Sequence, residues 1–310
     1  MTSKECIIVA GPTAVGKTAE AIRLAKFYNT SIISADSRQC YKELNIGVAR
    51  PTEEELKEVK HYFIANHSIT ENISAAIFAR EAREYLDEIF KDHDKAIVCG
   101  GTGLYIKALV EGLDNIPPIP SEIREAVIQL YYENGIDALR NTLLELDPTF
   151  SVHGDIHNPQ RMMRALEVVL HTGRSIFEYH TSKREEGEGL PAGRQGGERE
   201  EEVEYNYNVD NDYNNYNNST ITFTYKILDL PRAELYDRIN MRVDKMIEDG
   251  LEDEVRILIA YKELPALQTV GYKELFDYFD GKCTREEAID KIKQHTRNYA
   301  KRQVTWFKRL

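Results

Sequence analysis

The sequence predicts an α/β fold, a doubly wound parallel sheet carrying a helical insertion. Two observations predict it. Short apolar runs of buried-strand type recur at 6–10, 31–35 and 96–99, separated by stretches with helical periodicity. Such alternation builds parallel βαβ units, because each crossover helix covers a face of the sheet. Residues 113–182 break the alternation, reading as helix without strands.

The first run, Cys-Ile-Ile-Val-Ala (6–10), enters Gly-Pro-Thr-Ala-Val-Gly-Lys-Thr at 11–18. Two glycines four residues apart followed by Lys-Thr form the pattern of a phosphate-binding loop, or P-loop. The loop from Gly11 through Pro12, Thr13, Ala14, Val15 and Gly16 would wrap a diphosphate with backbone N–H groups. Lys17 would add a point charge, and the Thr18 hydroxyl could ligate Mg²⁺. Residues 19–28 have helical periodicity, with Ala21, Leu24, Ala25 and Tyr28 on one side. The anion would then sit at a helix start, where unpaired donors and the helix dipole favour negative charge. An ordinary glycine turn is the rival reading, and the strand–loop–helix context outweighs it. The chain is expected to bind a phosphorylated ligand.

The second run ends at Asp36-Ser-Arg-Gln39. A helix is predicted from about 74 to 90, with Ser74 as N-cap and Ala75, Phe78, Ala82, Tyr85, Leu86 and Ile89 as its apolar face. The third run leads into Gly-Gly-Thr-Gly-Leu-Tyr at 100–105. Pro117, Pro118 and Pro120 punctuate the exit from the core. Within the insertion one helix is well bounded: Asn158 as cap, Pro159 at its first position and Gly173 past its end. Its buried stripe is read as Met162, Leu166, Val169 and Leu170.

Residues 183–218 are low-complexity, Glu/Gly-rich and then Asn/Tyr-rich, with too little apolar surface to offset ordering entropy. A linker or expanded loop is expected. Residues 220–225 alternate like a strand with one wet face. A helix follows from Pro231 to about Glu248 with Gly250 as its stop, and a long amphipathic helix covers roughly 285–308. The organisation read from this is a core of 1–112 and 219–310, a helical insertion at 113–182 and an acidic linker at 183–218.

Four cysteines without paired spacing argue against a zinc site or a disulfide framework, and imply a reducing, cytoplasmic compartment. No basic region precedes the first apolar run and no apolar stretch approaches a bilayer span, so neither signal sequence nor membrane is expected. His153 and His157 lack further ligand-type spacing. The net charge is −12, yet it is segregated. Residues 183–218 hold four basic and ten acidic side chains, whereas 291–310 hold seven basic and no acidic ones. Such segregation permits a local basic footprint for nucleic acid.

Three uses of the loop can be weighed. A motor or switch NTPase needs a carboxylate at a core strand end to organise Mg²⁺ and water. The strand at 96–99 ends in Gly100-Gly101, and no Asn-Lys-x-Asp segment specifies guanine. A small-molecule or nucleotide kinase, ATP-binding, stays open because Asp36 could accept a hydroxyl proton. A non-catalytic, nucleotide-gated RNA-binding protein is a third reading.

The whole chain from Gly11 to about Lys308, broken only by the acidic segment, resembles the tRNA dimethylallyltransferases (tRNA isopentenyltransferases). The matching segments are 11–18, Ala-Asp-Ser-Arg-Gln-Cys-Tyr (35–41), Gly-Gly-Thr-Gly-Leu-Tyr-Ile-Lys-Ala-Leu (100–109) and Asn-Pro-Gln-Arg-Met-Met-Arg-Ala-Leu-Glu-Val (158–168). Arg-Ile-Asn-Met-Arg-Val-Asp (238–244), Gln-Thr-Val-Gly-Tyr-Lys-Glu-Leu (268–275) and Thr-Arg-Asn-Tyr-Ala-Lys-Arg-Gln-Val-Thr-Trp-Phe (296–307) complete the order.

The resemblance implies that the loop holds dimethylallyl diphosphate with Mg²⁺. The prenyl group would pass to the exocyclic amine of the adenosine on the 3′ side of the anticodon. It implies Asp36 as the base, Thr13 near the reacting centre and Arg242 on the diphosphate. Contacts to the tRNA anticodon arm would come from Asp36, Ser37, Arg38, Gln39, Thr102 and Arg124. Further contacts are implied for Gln160, Arg161, Met162, Met163 and Arg164, and for Gln268, Gly271, Lys273, Arg297 and Lys301. Reaching the amine would require flipping the base.

Each role has a plainer rival: Asp36 as a turn cap, Arg242 as a solvated residue one turn from Arg238, Thr102 as an N-cap, and Gln160, Arg161 and Arg164 as exposed polar groups. On the last helix Lys293, Arg297, Lys301 and Lys308 form a basic stripe, read as free for phosphates, opposite an apolar side of Ala288, Ile292, Tyr299 and Trp306. The 183–218 segment is longer and more acidic than the family needs. The lack of a zinc-finger extension implies the bacterial type, and the family expectation is a monomer.

Overall fold

A computed structural model describes residues 4–179 and 221–309. Contacts divide them into two units: residues up to Gly112 together with those from 221 on, and residues from Leu113 to 179. The acidic 183–218 segment, and Thr220 of the expected strand, lie outside the described residues.

The first unit opens with β1 (Lys4–Ala10), α1 (Lys17–Tyr28), β2 (Ile32–Ser34), α2 (Glu53–Glu58) and β3 (His61–Tyr62). It continues with α3 (Ala75–Ile89), β4 (Lys95–Gly100) and α4 (Gly103–Val110). The second unit holds α5 (Ser121–Leu146), α6 (Phe150–His153) and α7 (Pro159–Thr172). The first unit resumes with β5 (Ile221–Ile227), α8 (Arg232–Glu248), α9 (Leu251–Ile257), α10 (Tyr272–Phe279) and α11 (Arg285–Phe307).

The five strands form one sheet of order β3-β2-β4-β1-β5, and every pairing is parallel. Both faces are covered, as parallel sheets require. Cys6, Ile8, Ile33 and Val98 pack with α3, α4 and the helices after β5, while Val9, Ile32 and Ile97 pack on Ala21, Leu24 and Ala25 of α1. Register aligns Ala10 with Gly100 on one side and Ile227 on the other, and Ser34 with Cys99. The loops leaving β1, β2, β4 and β5 therefore emerge at one sheet edge, beyond the strands' carboxyl ends, where open α/β sheets bind ligands.

Local signals place several helices. Ser74 caps α3 by accepting from the Ile77 N–H, and Thr284 with Glu287 closes a capping box on α11. Asn158 caps α7 from the Arg161 N–H, with Pro159 next and Gly173 at φ 69° after it. In the second unit Met162, Leu166 and Val169 meet Val127, Leu139, Leu143 and Phe150. Leu170 is exposed rather than part of that stripe. Gly135, at φ 78° inside α5, breaks it into two helical segments. Short β3, α2, α9 and α10 were not anticipated, although α10 buries Tyr272, Leu275 and Phe276 at helical spacing. Among the described residues no helix is long and apolar enough to cross a membrane, and the four cysteines are free.

Candidate active site

The loop after β1 starts at Gly11, whose φ of 145° suits glycine, and where an added Cβ would collide with the Leu228 carbonyl oxygen. Ala14 takes a left-handed φ of 68°, and Gly16, at 106°, hands over to α1 at Lys17. Pro12, Ala14 and Val15 are buried, Gly16 is exposed, and Thr13, Lys17 and Thr18 are half-buried. Lys17 folds back so that Nζ donates to the Pro12 carbonyl at 2.7 Å. Burial lowers its pKa to about 8, an effect offset in part by Cys99 and Asp36 and reinforced by Arg242. The free loop thus holds an under-solvated cation that donates to a carbonyl and forms no ion pair among the described residues.

Thr13 is the hub. Its hydroxyl accepts from Arg242 Nη1 at 3.1 Å, and its N–H donates to Gln303 Oε1 at 2.8 Å. Gln303 Nε2 donates in turn to the Gly101 carbonyl at 2.9 Å. Arg242 is turned inward: burial lowers its pKa against the pull of Asp36. Arg238, one turn away, pairs with Glu234 at 2.7 Å on the surface. The solvated-residue reading therefore fits Arg238 and not Arg242.

Asp36 follows Ala35 at the end of β2. Its Oδ1 accepts the N–H groups of Arg38 at 2.9 Å and Gln39 at 3.3 Å, which fixes an Asx turn. Oδ2 accepts no hydrogen bond among the described residues. The turn-capping and base readings are therefore compatible, one on each oxygen. Both Lys17 and Arg242 feel the Asp36 charge. Gly100 lies so close to Ala35 that a Cβ there would collide with its carbonyl oxygen. β4 ends in Cys99 and Gly100 with no carboxylate of the kind an NTPase uses to organise a metal, and burial pushes the Cys99 thiol up to about 12.

Thr102 begins α4, yet its side chain makes no cap hydrogen bond. Its hydroxyl instead accepts from the Ser37 N–H at 3.1 Å and meets the Tyr299 phenol, tying the 36–39 segment to α11. Burial, with Asp36 nearby, pushes Tyr299 up to about 12.

Other expected contacts look different in three dimensions. Gln39 is spent inside the fold: its amide nitrogen donates to Val48 at 3.2 Å and Ala49 at 3.0 Å, and its oxygen accepts from Ser34. Arg38 Nη1 donates to the Pro265 and Ala266 carbonyls at 3.0 and 3.1 Å. Met162 is fully buried and forms insertion core, so it is not available to RNA. Gly271 is also buried; its φ of 98° and its N–H bond to Glu274 start α10. Both were placed on the RNA from segment matching, which does not separate contact from scaffold.

Arg164 and Arg124 lie 3.0 and 3.8 Å from the buried Glu167. Arg161 and Gln160 are exposed, Arg161 reaching only Asp155 at 3.8 Å, and Met163 is half-buried. Gln268 donates to the Lys262 carbonyl, and Lys273 is exposed.

The stripe on α11 is not wholly free. Lys293 pairs with Asp244 at 2.6 Å, and Arg297 donates to Asn240 at 2.7 Å, leaving Lys301 and Lys308 exposed. The acidic partner comes from α8, invisible in a count along one helix. The buried face of α11 is Ala288, Ile292, Ala300, Gln303 and Phe307, with Trp306 37% exposed. Gln303 was missed because it is polar, although its spacing from Ala300 and Phe307 places it on the apolar side.

No group of three or more His, Cys, Asp or Glu side chains among the described residues could hold a metal ion. Thr18, second residue of α1, is the donor of the loop type. That set fits a hard cation carried in on diphosphate oxygens, not one caged by protein.

Comparison with known proteins agrees with this geometry. Residues 39–310 match the model of the IPP transferase family. A tRNA dimethylallyltransferase of Cytophaga hutchinsonii is 43% identical, over 98% of this chain and 90% of its own. One from Bacteroides thetaiotaomicron is 40% identical, over 98% and 88%. The full-length tRNA isopentenylpyrophosphate transferase of Bacillus halodurans superposes with a TM-score of 0.62 at 32% identity, covering 99% of this chain and 87% of that one. A eukaryotic dimethylallyltransferase acting on tRNA, 24% identical, shares the fold with a TM-score of 0.70 over 98% and 70%. P-loop, inward arginine and matched sequence lead to one conclusion: the chain belongs to the IPP transferase family, that of the tRNA dimethylallyltransferases.

Proposed function

We propose that this chain moves the dimethylallyl group of dimethylallyl diphosphate to the exocyclic amine of the adenosine 3′-adjacent to the anticodon in tRNA. The observation that carries the reading is the Thr13–Arg242 contact of 3.1 Å on a loop whose cations both feel Asp36. The carbon–oxygen bond to diphosphate breaks as the nitrogen–carbon bond forms. An aromatic amine must lose a proton in that step, and Asp36 Oδ2 is the acceptor. Charge growing on the diphosphate meets loop N–H groups, Lys17 and Arg242, already positioned before the reaction. Thr18 would help hold Mg²⁺, which would supply further neutralisation of the leaving group. Lys17, buried and donating to the Pro12 carbonyl, favours a diphosphate-bearing ligand.

The exposed Gln160, Arg161, Lys273 and Lys301 are the proposed tRNA contacts, with the 113–182 insertion as an RNA-binding unit. The enzyme works as a cytoplasmic monomer. The test is transfer of labelled dimethylallyl diphosphate to unmodified tRNA by wild type and Asp36→Asn. The amide keeps the Oδ1 bonds to Arg38 and Gln39 but cannot take a proton. Mg²⁺-dependent labelling that falls at least ~100-fold in the variant, with unfolding temperature unchanged, is expected. ATP turnover without any tRNA requirement would replace this reading with a kinase.

A further inference from the structure

We infer that Gln303 is a positioning residue for the transfer, fixing Thr13 and setting the spacing between the diphosphate loop and the Asp36 segment. The inference rests on the transfer reading above. Gln303 is 6% exposed, on the buried face of α11. Both ends of its amide are used, and both on loops of the site rather than on neighbouring helices. Oε1 accepts the Thr13 N–H, and Nε2 donates to the Gly101 carbonyl. There is no slack at the second contact, since a Cβ on Gly101 would collide with Nε2.

The direction of the first bond matters. In a P-loop the backbone N–H groups turn toward the phosphates. Here the Thr13 amide is turned toward α11 instead. That orientation sets the Thr13 backbone and with it the side chain, whose hydroxyl meets Arg242 Nη1 at 3.1 Å. The second bond holds Gly101, next to Thr102, whose hydroxyl receives the Ser37 N–H beside Asp36. One side chain therefore bridges the loop that holds the leaving group and the loop that steadies the base. Tyr299 and Trp306 extend the brace, at Thr102 and against Gly103 respectively. Displacing a reacting group by about 1 Å costs on the order of 100-fold in rate, so a bridge of this kind governs kcat.

A purely architectural role, docking α11 on the core, would show as lower stability with normal activity per folded molecule. Two variants separate the readings. Gln303→Met keeps the length and apolar stem but loses both bonds. Gln303→Glu keeps the acceptor for Thr13, and can donate to Gly101 only when its carboxyl is protonated. Measured well below the unfolding temperature, Gln303→Met is expected to lower kcat about 10- to 100-fold, with KM for each substrate within about threefold. Gln303→Glu is expected to be as impaired at pH 8, its kcat relative to wild type rising as pH falls. Wild-type kcat in Gln303→Met, whatever its stability, or a pH-independent ratio in Gln303→Glu, overturns the inference. Absence of transfer by the wild type itself would overturn the reaction and this inference together, so the two failures are distinguishable.

Discussion

Replacing Lys17 by Met should make the free protein more stable while disabling it. Burial lowers the Lys17 pKa from 10.5 to about 8. At 1.36 kcal/mol per tenfold, keeping the ammonium in the free loop costs about 3 kcal/mol. Methionine removes that cost but leaves the Pro12 carbonyl without its 2.7 Å donor, a loss of about 1 kcal/mol. The net is about 2 kcal/mol in favour of Lys17→Met at pH 7, a rise in unfolding temperature of roughly 3 °C.

The sign follows from linkage. The folded pKa lies below the unfolded one, so the penalty is complete below pH 8 and fades as pH rises toward 10.5. The advantage of the variant should therefore shrink across that window. Thermal unfolding from pH 7 to 10, with and without Mg²⁺ and inorganic diphosphate, is the assay. Diphosphate should raise the wild-type transition and leave that of Lys17→Met in place, with transfer reduced at least ~100-fold. A variant that melts below wild type at pH 7, or a gap that does not change between pH 7 and 10, refutes the reasoning.

Three further outcomes are expected. Arg242→Lys keeps a charge but not the planar fork that reaches the Thr13 hydroxyl, so kcat should fall about 10- to 100-fold with tRNA affinity unchanged in a filter-binding assay. In the insertion, Arg161→Ala should weaken tRNA binding and reduce the salt slope by about 1. Met162→Ala, one residue along, should leave the slope alone and cost about 2–5 kcal/mol of stability in denaturant unfolding.

What the sequence disclosed depended on whether a signal was local. The P-loop, the caps at Ser74 and Asn158 and the three apolar runs are contiguous patterns, and the sheet follows from them. Thr13, Asp36 and Arg242, widely separated along the chain, were brought together by the family match rather than by any spacing, and the fold connects them through Thr13–Arg242 and the Asp36 charge. Partnerships between distant residues were illegible. Nothing near Lys293 announces Asp244, and nothing in helix 158–173 says that Glu167 turns in to hold Arg164. β3 has two residues, too few for a period, and exists because β2 offers an edge beside it. Gln303 was hidden by its own polarity: a rule that reads burial from apolarity passes over a buried amide whose partners lie 202 and 290 residues away.

That sequence separation has a consequence for synthesis. The P-loop leaves the ribosome well before its partners, so its strand completes its pairing only when residues 221–227 arrive, and Thr13 acquires its brace only with α11. Contacts of such separation form late, because loop-closure entropy must be met before they repay it. A nascent chain that already carries residues 113–182 still lacks the means to set its own diphosphate loop. The diphosphate loop would be set in one step, when α11 docks, rather than by gradual gain.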